Sequence, residues 1–191
     1  MRITLVRHTE VDEAYHRCYN GHIDISLSPL GHQQAQTLAK HFSTQTFDAV
    51  FCSDLKRAKE TLSYFIQAKE VVYTNKLREK SWGKHEGLTF DGIIAQKEIS
   101  YNNFSEWINA LDGEPYELYI QRVSEFFLEF LPATKKENIL VITHAGVIRV
   151  FISIIKKLSL EEAFSINVPY ASYMVYEHDT KYFSEVKFIE S

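Results

Sequence analysis

The side chains best suited to chemistry stand at the ends of three short apolar runs. Residues 3–6 lead into Arg7 and His8, residues 48–52 into Ser53 with Arg57 close behind, and residues 138–143 into His144, Ala145 and Gly146. Two guanidiniums and two imidazoles brought together would hold a dianion such as a phosphoryl group, because a guanidinium offers a planar fork of donors to oxyanions. An imidazole titrates near about 6.5, so it is also available as a neutral nucleophile at neutral pH. Each residue has a plainer reading. Arg7 at a strand end can reach out to water, His144 can cap a helix, and Arg57 can share a solvated face with Lys56 and Lys59. Spacing alone leaves both readings open.

Whether these residues meet depends on the elements that carry them. The three runs are β-branched, apolar and short, which predicts buried strands at residues 2–6, 48–52 and 138–143. Each is followed by helical spacing. Leu30, Ala35, Leu38, Ala39 and Phe42 give residues 29–42 one apolar face, with Ser28 as N-cap and Pro29 at the first position. Leu55, Ala58, Leu62, Phe65 and Ile66 predict a helix over 55–67, and Leu118, Val123, Phe126, Phe127 and Phe130 one over 116–131. Val147, Ile148, Phe151, Ile154 and Ile155 predict another over 145–157. This alternation predicts an α/β fold of three layers, a mostly parallel central sheet with helices on both faces. In such sheets ligands sit outside the carboxyl ends of the strands, where helix N-termini favour anions. The stretch from Leu77 to Leu111 breaks the alternation, carries Trp82 and Trp107, and reads as an excursion over that end of the sheet. Residues 167–189 alternate and predict an edge hairpin turning near Asp179. With no repeat and no linker, residues 1–191 are expected to form a single domain.

Composition narrows the partners. The chain has 191 residues, 45% of them apolar and 24% charged, with a net charge of −4, which gives no general attraction to nucleic acid or anionic membrane. No run approaches the roughly 18 apolar residues of a membrane span, and the N-terminal run is interrupted by Arg7 too early for a secretory signal. Cys18 and Cys52 are too few for a disulfide framework, so a cytoplasmic location is expected. The histidines at 16, 22, 32, 41 and 178 are scattered, without H-x-H or H-E-x-x-H spacing, so no metal and no cofactor is expected.

The ordered set RHTE, NGHIDISLSPLGHQQA, SDLKRAKET, LREKSWGKHEG and VITHAGVIR resembles the histidine phosphatase superfamily, which includes the phosphoglycerate mutases, over nearly the whole chain. That resemblance implies a phosphoglycerate mutase-like fold and a phosphohistidine intermediate on His8. It implies that Arg7, Arg57 and His144 hold the transferring group, that Glu79 donates the proton to the leaving group, and that Asn20 and Gly21 form a turn closing over the phosphate. Ala145 follows the second histidine where some branches carry an acid, which leaves Glu79 as the acid candidate. A carboxyl beside a phosphate dianion is favoured in its neutral form by like charge. The first motif departs from the family: Ala14 replaces a phosphate-orienting Asn, with Thr9, Glu10 and Tyr15 as candidate substitutes, and Gly113-Glu114-Pro115 replaces G-E-S, while Arg122 keeps its place.

The mutases of the family carry paired cations for a second anionic end of the substrate. Around residues 88–111 this chain offers only Lys97, so a phosphatase for small phosphate esters is expected, with negligible mutase activity. Among the phosphatases, CYNGHIDISLSPLG and VPYAS look most similar to the α-ribazole-5′-phosphate phosphatases of cobalamin assembly. Trp82, Phe90, Phe104 and Trp107 then become candidates for an apolar wall against the base, or simply core. A broad-specificity sugar or nucleotide phosphatase and a non-catalytic phospho-ligand binder are the alternatives.

Overall fold

The computed structural model describes residues 1–65 and 70–178 and the strand at 183–189. Its centre is a six-stranded sheet of β1 (Arg2–Arg7), β2 (Ala49–Ser53), β3 (Val71–Thr74), β4 (Asn138–Thr143), β5 (Tyr173–His178) and β6 (Phe183–Ile189), in the spatial order β3-β2-β4-β1-β5-β6. The first four are mutually parallel, whereas β5 runs antiparallel to β1, and β6 to β5. β1, β2 and β4 lie in the interior of the sheet and are buried almost throughout. They read as unbroken apolar runs because both of their faces are covered.

Alternate residues feed two cores. Ile3, Leu5, Phe51, Ile139 and Val141 point to one face and Val6, Val50, Cys52, Leu140 and Ile142 to the other. Helices α1 (Pro29–His41) and α2 (Lys56–Leu62) cover the second face through Leu38, Ala58 and Leu62. The short helices α3 (Phe90–Ala95) and α4 (Phe104–Ala110) precede α5 (Tyr116–Ser124), which runs on through a π-helical stretch, Glu125–Phe130, into α6 (Leu131–Ala133). The widened turn lies directly before Pro132, whose ring has no N–H and crowds the carbonyl one turn back. With α7 (Ala145–Lys156), α5 covers the first face; α8 (Leu160–Ser165) packs on α7. The result is the expected three-layer α/β fold.

The differences from expectation are local. β3 was not expected; it is a four-residue edge strand, VVYT, with no buried residue and only three apolar positions to mark it. α2 stops at Leu62, where the Ser63 hydroxyl donates to the Glu60 carbonyl at 2.7 Å; residues 66 and 67 of the expected helix lie outside the described residues. The turn expected at Asp179 lies outside them as well, although the strands on either side of it pair as a hairpin. Leu30 and Leu118, expected inside, are half exposed, and α5 instead buries Tyr116, Tyr119 and Val123. Ser28 caps α1 as expected, accepting the Gly31 N–H at 2.9 Å. Among the described residues, no helix is long and apolar enough to cross a membrane.

Candidate active site

Strand register brings the chemistry together. β1 pairs with β4 so that Arg7 faces Thr143, and β2 pairs with β4 so that Cys52 faces Ile142. The next residue on each strand is therefore His8, His144 or Ser53, side by side at one edge. The His8 and His144 rings lie 5.0 Å apart. His8 borders a cavity of about 190 Å³ whose wall also includes Arg7, Asn20, Arg57, Glu79, Trp82 and Ala145. Seven of the nine expected site residues thus face one space. The other two, His144 and Gly21, lie behind the wall.

His8 is 5% exposed, and its Nδ1–H donates to the Thr9 carbonyl at 2.8 Å, which leaves Nε2 as the unprotonated nitrogen. Burial, then the Arg57 and Arg7 charges, push its pKa well below the ordinary histidine value. His144 is fully buried; its Nδ1 accepts from Arg57 Nε at 3.2 Å, so its Nε2–H is the one that meets Ser53 Oγ at 2.7 Å. Burial and Arg57 depress it in the same way. Both imidazoles are neutral at pH 7. An unfolded chain takes up those two protons near about pH 6.5, while the folded chain refuses them until well below. Stability should therefore fall as pH drops from 7 to 5. Melting temperatures across that range test this, and His8→Asn should flatten part of the slope; an identical slope in that variant would show that His8 protonates in the folded state.

Arg57 is 1% exposed and fully committed on one side: Nη1 donates to the Ile23 carbonyl at 2.9 Å and Nη2 to those of Asn20 and Gly21 at 3.0 and 2.8 Å. It thereby fastens the expected 20–21 turn to the sheet edge. Gly21 is required by space, since a Cβ there would sit 2.4 Å from the Lys80 carbonyl. Asn20 donates from Nδ2 to the Tyr15 carbonyl at 2.6 Å and keeps its Oδ1 buried without a protein partner. Burial lowers Arg7 and Arg57 to about 10, so both stay charged at neutral pH.

Glu79 receives three donors. Tyr119 Oη and the Lys80 N–H reach its Oε1 at 2.8 and 3.0 Å, and the Gly146 N–H at the start of α7 reaches Oε2 at 2.9 Å. Burial, then the charge of Glu79, hold the Tyr119 hydroxyl well above its ordinary pKa, so it remains a donor. Arg122 fixes the chain behind: it pairs with Glu114 at 2.6 and 2.8 Å and donates to the carbonyls of Lys76, Arg78 and Glu79 at 2.9, 2.8 and 3.0 Å. Helix α5 thus grips Glu79 at both carboxylate and carbonyl. Gly146 has room for no side chain, because a Cβ would stand 2.1 Å from Glu79 Oε1.

Some expectations are redistributed. Ala14 is exposed on a short turn; Thr9 is bonded to Thr61 at 3.1 Å through its N–H, and Glu10 accepts from Ser28 Oγ at 2.8 Å. None of these, nor Tyr15, lines the cavity. Of the four expected aromatics only Trp82 does. Trp107 packs among Tyr19, Phe90 and Tyr101, and the Phe104 ring meets that of Phe164 at a tilt, centroids 4.9 Å apart. The cavity wall holds instead Tyr19, Lys80, Tyr119, Arg149, Phe164 and Tyr170. Lys80, brought down to about 8 by burial, and Arg149 are cations that inspection of residues 88–111 could not find, whereas Lys97 is exposed and off the wall. Arg149 was legible in principle, lying one helical turn after Ala145 on α7. Among the described residues no group of three or more His, Cys, Asp or Glu is placed to hold a metal ion.

Known proteins share this arrangement of chain. The phosphoglycerate mutase-like protein 4 of Arabidopsis thaliana is 35% identical over 156 residues, which span 77% of this chain and 67% of its own. The adenosylcobalamin/α-ribazole phosphatase of Escherichia coli is 29% identical over 80% of this chain and 78% of its own. The crystal structure of the α-ribazole phosphatase from Shigella flexneri superposes with a TM-score of 0.85 at 26% identity, covering 98% of this chain and 96% of that one. The model of the histidine phosphatase superfamily (branch 1) matches residues 3–190. With its His/Arg cluster at the carboxyl edge of the sheet, this chain belongs to the histidine phosphatase superfamily.

Proposed function

We propose that this histidine-phosphatase-type phosphomonoesterase works through His8 and Glu79 and hydrolyses α-ribazole 5′-phosphate to α-ribazole and phosphate. The observation that carries the mechanism is that an unprotonated imidazole nitrogen, one buried and one half-buried guanidinium and one oriented carboxyl face a single cavity. His8 Nε2 attacks phosphorus, the bond from phosphorus to the alcohol oxygen breaks, and Glu79 gives its proton to that oxygen. A water then gives a proton to Glu79, its oxygen bonds to phosphorus, and the bond to His8 breaks. Arg7 and Arg57 stabilise charge on the transferring oxygens, where positioning and electrostatics dominate. His144 acts from behind the wall, holding the plane of Arg57 through Nδ1.

The substrate assignment is supported by the α-ribazole phosphatases among the relatives and by the aromatic side chains of Tyr19, Trp82 and Phe164 around the cavity, which suit a flat base. A second reading is favoured by Lys80 and Arg149: a phosphate ester whose alcohol carries a second anionic group. Comparing kcat/KM on α-ribazole 5′-phosphate, mononucleotides, sugar phosphates and phosphoglycerates decides between them. The first reading expects α-ribazole 5′-phosphate to lead. A lead for phosphoglycerates, lost in Lys80→Ala, would replace it with the second. Hydrolysis should persist in a chelator.

The Glu79 assignment has a steric test. Gly146→Ala should push the carboxyl aside, and a displacement near 1 Å costs about 10²-fold in turnover. An active Gly146→Ala enzyme with unchanged kcat would show that the position of Glu79 does not matter.

A further inference from the structure

Ala14 is exposed and off the cavity wall, whereas Tyr170, on the turn at 168–172, lines it. This turn holds Arg7 on several sides. The Val168 carbonyl accepts from Arg7 Nη1, and the Ser172 carbonyl accepts the Arg7 N–H at 3.0 Å. The Tyr170 ring covers the face of the guanidinium, with its centroid 3.8 Å from Cζ. The same ring lies 5.6 Å from that of His8 and lines the cavity. The turn itself is fixed. Ala171 takes a left-handed φ of 60° while fully buried, its N–H reaches the His8 carbonyl at 3.4 Å, and Ser172 Oγ donates to the Pro169 carbonyl at 2.7 Å. A side chain that rarely adopts this φ is held there by its surroundings. Arg7 Nε is left buried without a protein acceptor, in the wall of the cavity.

We infer that Tyr170 is the positioning residue of the phosphate pocket: stacked on Arg7, it fixes the plane of the guanidinium so that the uncommitted donors of that group meet a phosphoryl oxygen. A guanidinium without this partner keeps its charge but can swing about its own stem, and a planar fork loses its advantage once its plane is free. The stack also takes one face of a half-buried cation out of competition with water, and cation–aromatic contacts strengthen as the cation is desolvated. The inference rests on the reading of this cavity as a phosphate site, and not on turnover.

The test is calorimetric titration of the full-length protein with inorganic phosphate, a probe with no organic part. Tyr170→Phe keeps the ring and drops only the side-chain hydrogen bond between its hydroxyl and Arg7, so it should lose less phosphate affinity than Tyr170→Leu; an equal loss would assign the role to the hydroxyl and overturn the stacking account. Tyr170→Leu removes the ring and should weaken binding about tenfold, the scale of a desolvated cation–aromatic contact. Arg7→Ala should weaken it further, and adding Tyr170→Leu to Arg7→Ala should change nothing more, because the ring acts through the guanidinium. Additive losses, or an unchanged phosphate Kd in Tyr170→Leu with only the KM for esters raised, would make Tyr170 a contact for the organic part and overturn the inference. Should Tyr170→Leu fail to fold, Tyr170→Met, of similar bulk without a ring face, carries the same comparison. A parent protein that binds phosphate yet hydrolyses no ester would overturn the phosphatase mechanism and leave the role of Tyr170 intact. Absence of phosphate binding in the parent would overturn both.

Discussion

His8→Ala should yield no trapped phosphoprotein and should lower turnover by at least about 10⁴-fold, because the nucleophile of a covalent mechanism has no substitute. The parent enzyme, quenched during reaction with a labelled ester, should give a protein adduct that is labile to acid and stable to alkali, as a phosphorus–nitrogen bond is. The structure makes this expectation specific to one nitrogen. Nδ1 is occupied by the Thr9 carbonyl at 2.8 Å, so the phosphoryl group belongs on Nε2. The neighbouring imidazole is a poor replacement, since both nitrogens of His144 are bonded, to Arg57 and to Ser53, behind the cavity wall. Label remaining in His8→Ala would move the nucleophile elsewhere. Because neither imidazole binds a proton at neutral pH, the phosphorylation step should also keep its rate as pH is lowered from 8 towards 6.5, so far as His8 governs it. A rate that falls with an ordinary histidine pKa would mean that the pocket does not suppress protonation of His8.

Much of this was legible in the chain. Interior strands of a covered parallel sheet are continuous apolar runs, so β1, β2 and β4 stand out, and the charged residues that end them are conspicuous for that reason. What spacing does not contain is register. His8 and His144 are neighbours because β4 inserts between β1 and β2 with Arg7 opposite Thr143, and pairing of that kind is set by the whole sheet. Orientation was equally hidden. His144 and Gly21 belong to the expected motifs, yet their neighbours Arg57 and Asn20 take the cavity face. On α5, Leu118 is the more apolar residue, but Tyr119 is the one buried, since its hydroxyl finds Glu79 and its ring finds the core. A buried tyrosine needs such a partner, and a single helix does not say where the partner is. Tyr170, Lys80 and Arg149 were hidden for the same reason. Each sits beside a motif residue in the chain or on its helix, and only the closed fold shows which of them turn inward.

Glu79→Gln should slow the cleavage of alkyl phosphates by about 10²–10⁴-fold while sparing p-nitrophenyl phosphate, because only the alkoxide leaving group needs a proton. The structure sharpens the comparison. All three groups on the Glu79 carboxyl are donors, namely Tyr119 Oη, the Lys80 N–H and the Gly146 N–H. An amide can accept from one side only, so its NH₂ must face a donor, and some displacement of residue 79 is expected in this variant. Displacement alone disturbs both leaving groups, whereas loss of the proton disturbs only the poor one, and the ratio of the two rates therefore isolates the chemistry. The measurement belongs on the phosphorylation step, read as the burst of released alcohol, since hydrolysis of phospho-His8 also draws on Glu79 to take a proton from water. Equal slowing in the burst would remove Glu79 as the acid. Glu86 and Glu10 are weak successors, for neither lines the cavity: Glu86 Oε1 accepts from the His22 N–H at 2.8 Å and from Ser81 Oγ at 3.1 Å, and Glu10 accepts from Ser28. Lys80 would come first, an ammonium brought to about 8 by burial in the wall of the same cavity, and Lys80→Met would then restore the discrimination between leaving groups that Glu79→Gln had failed to produce.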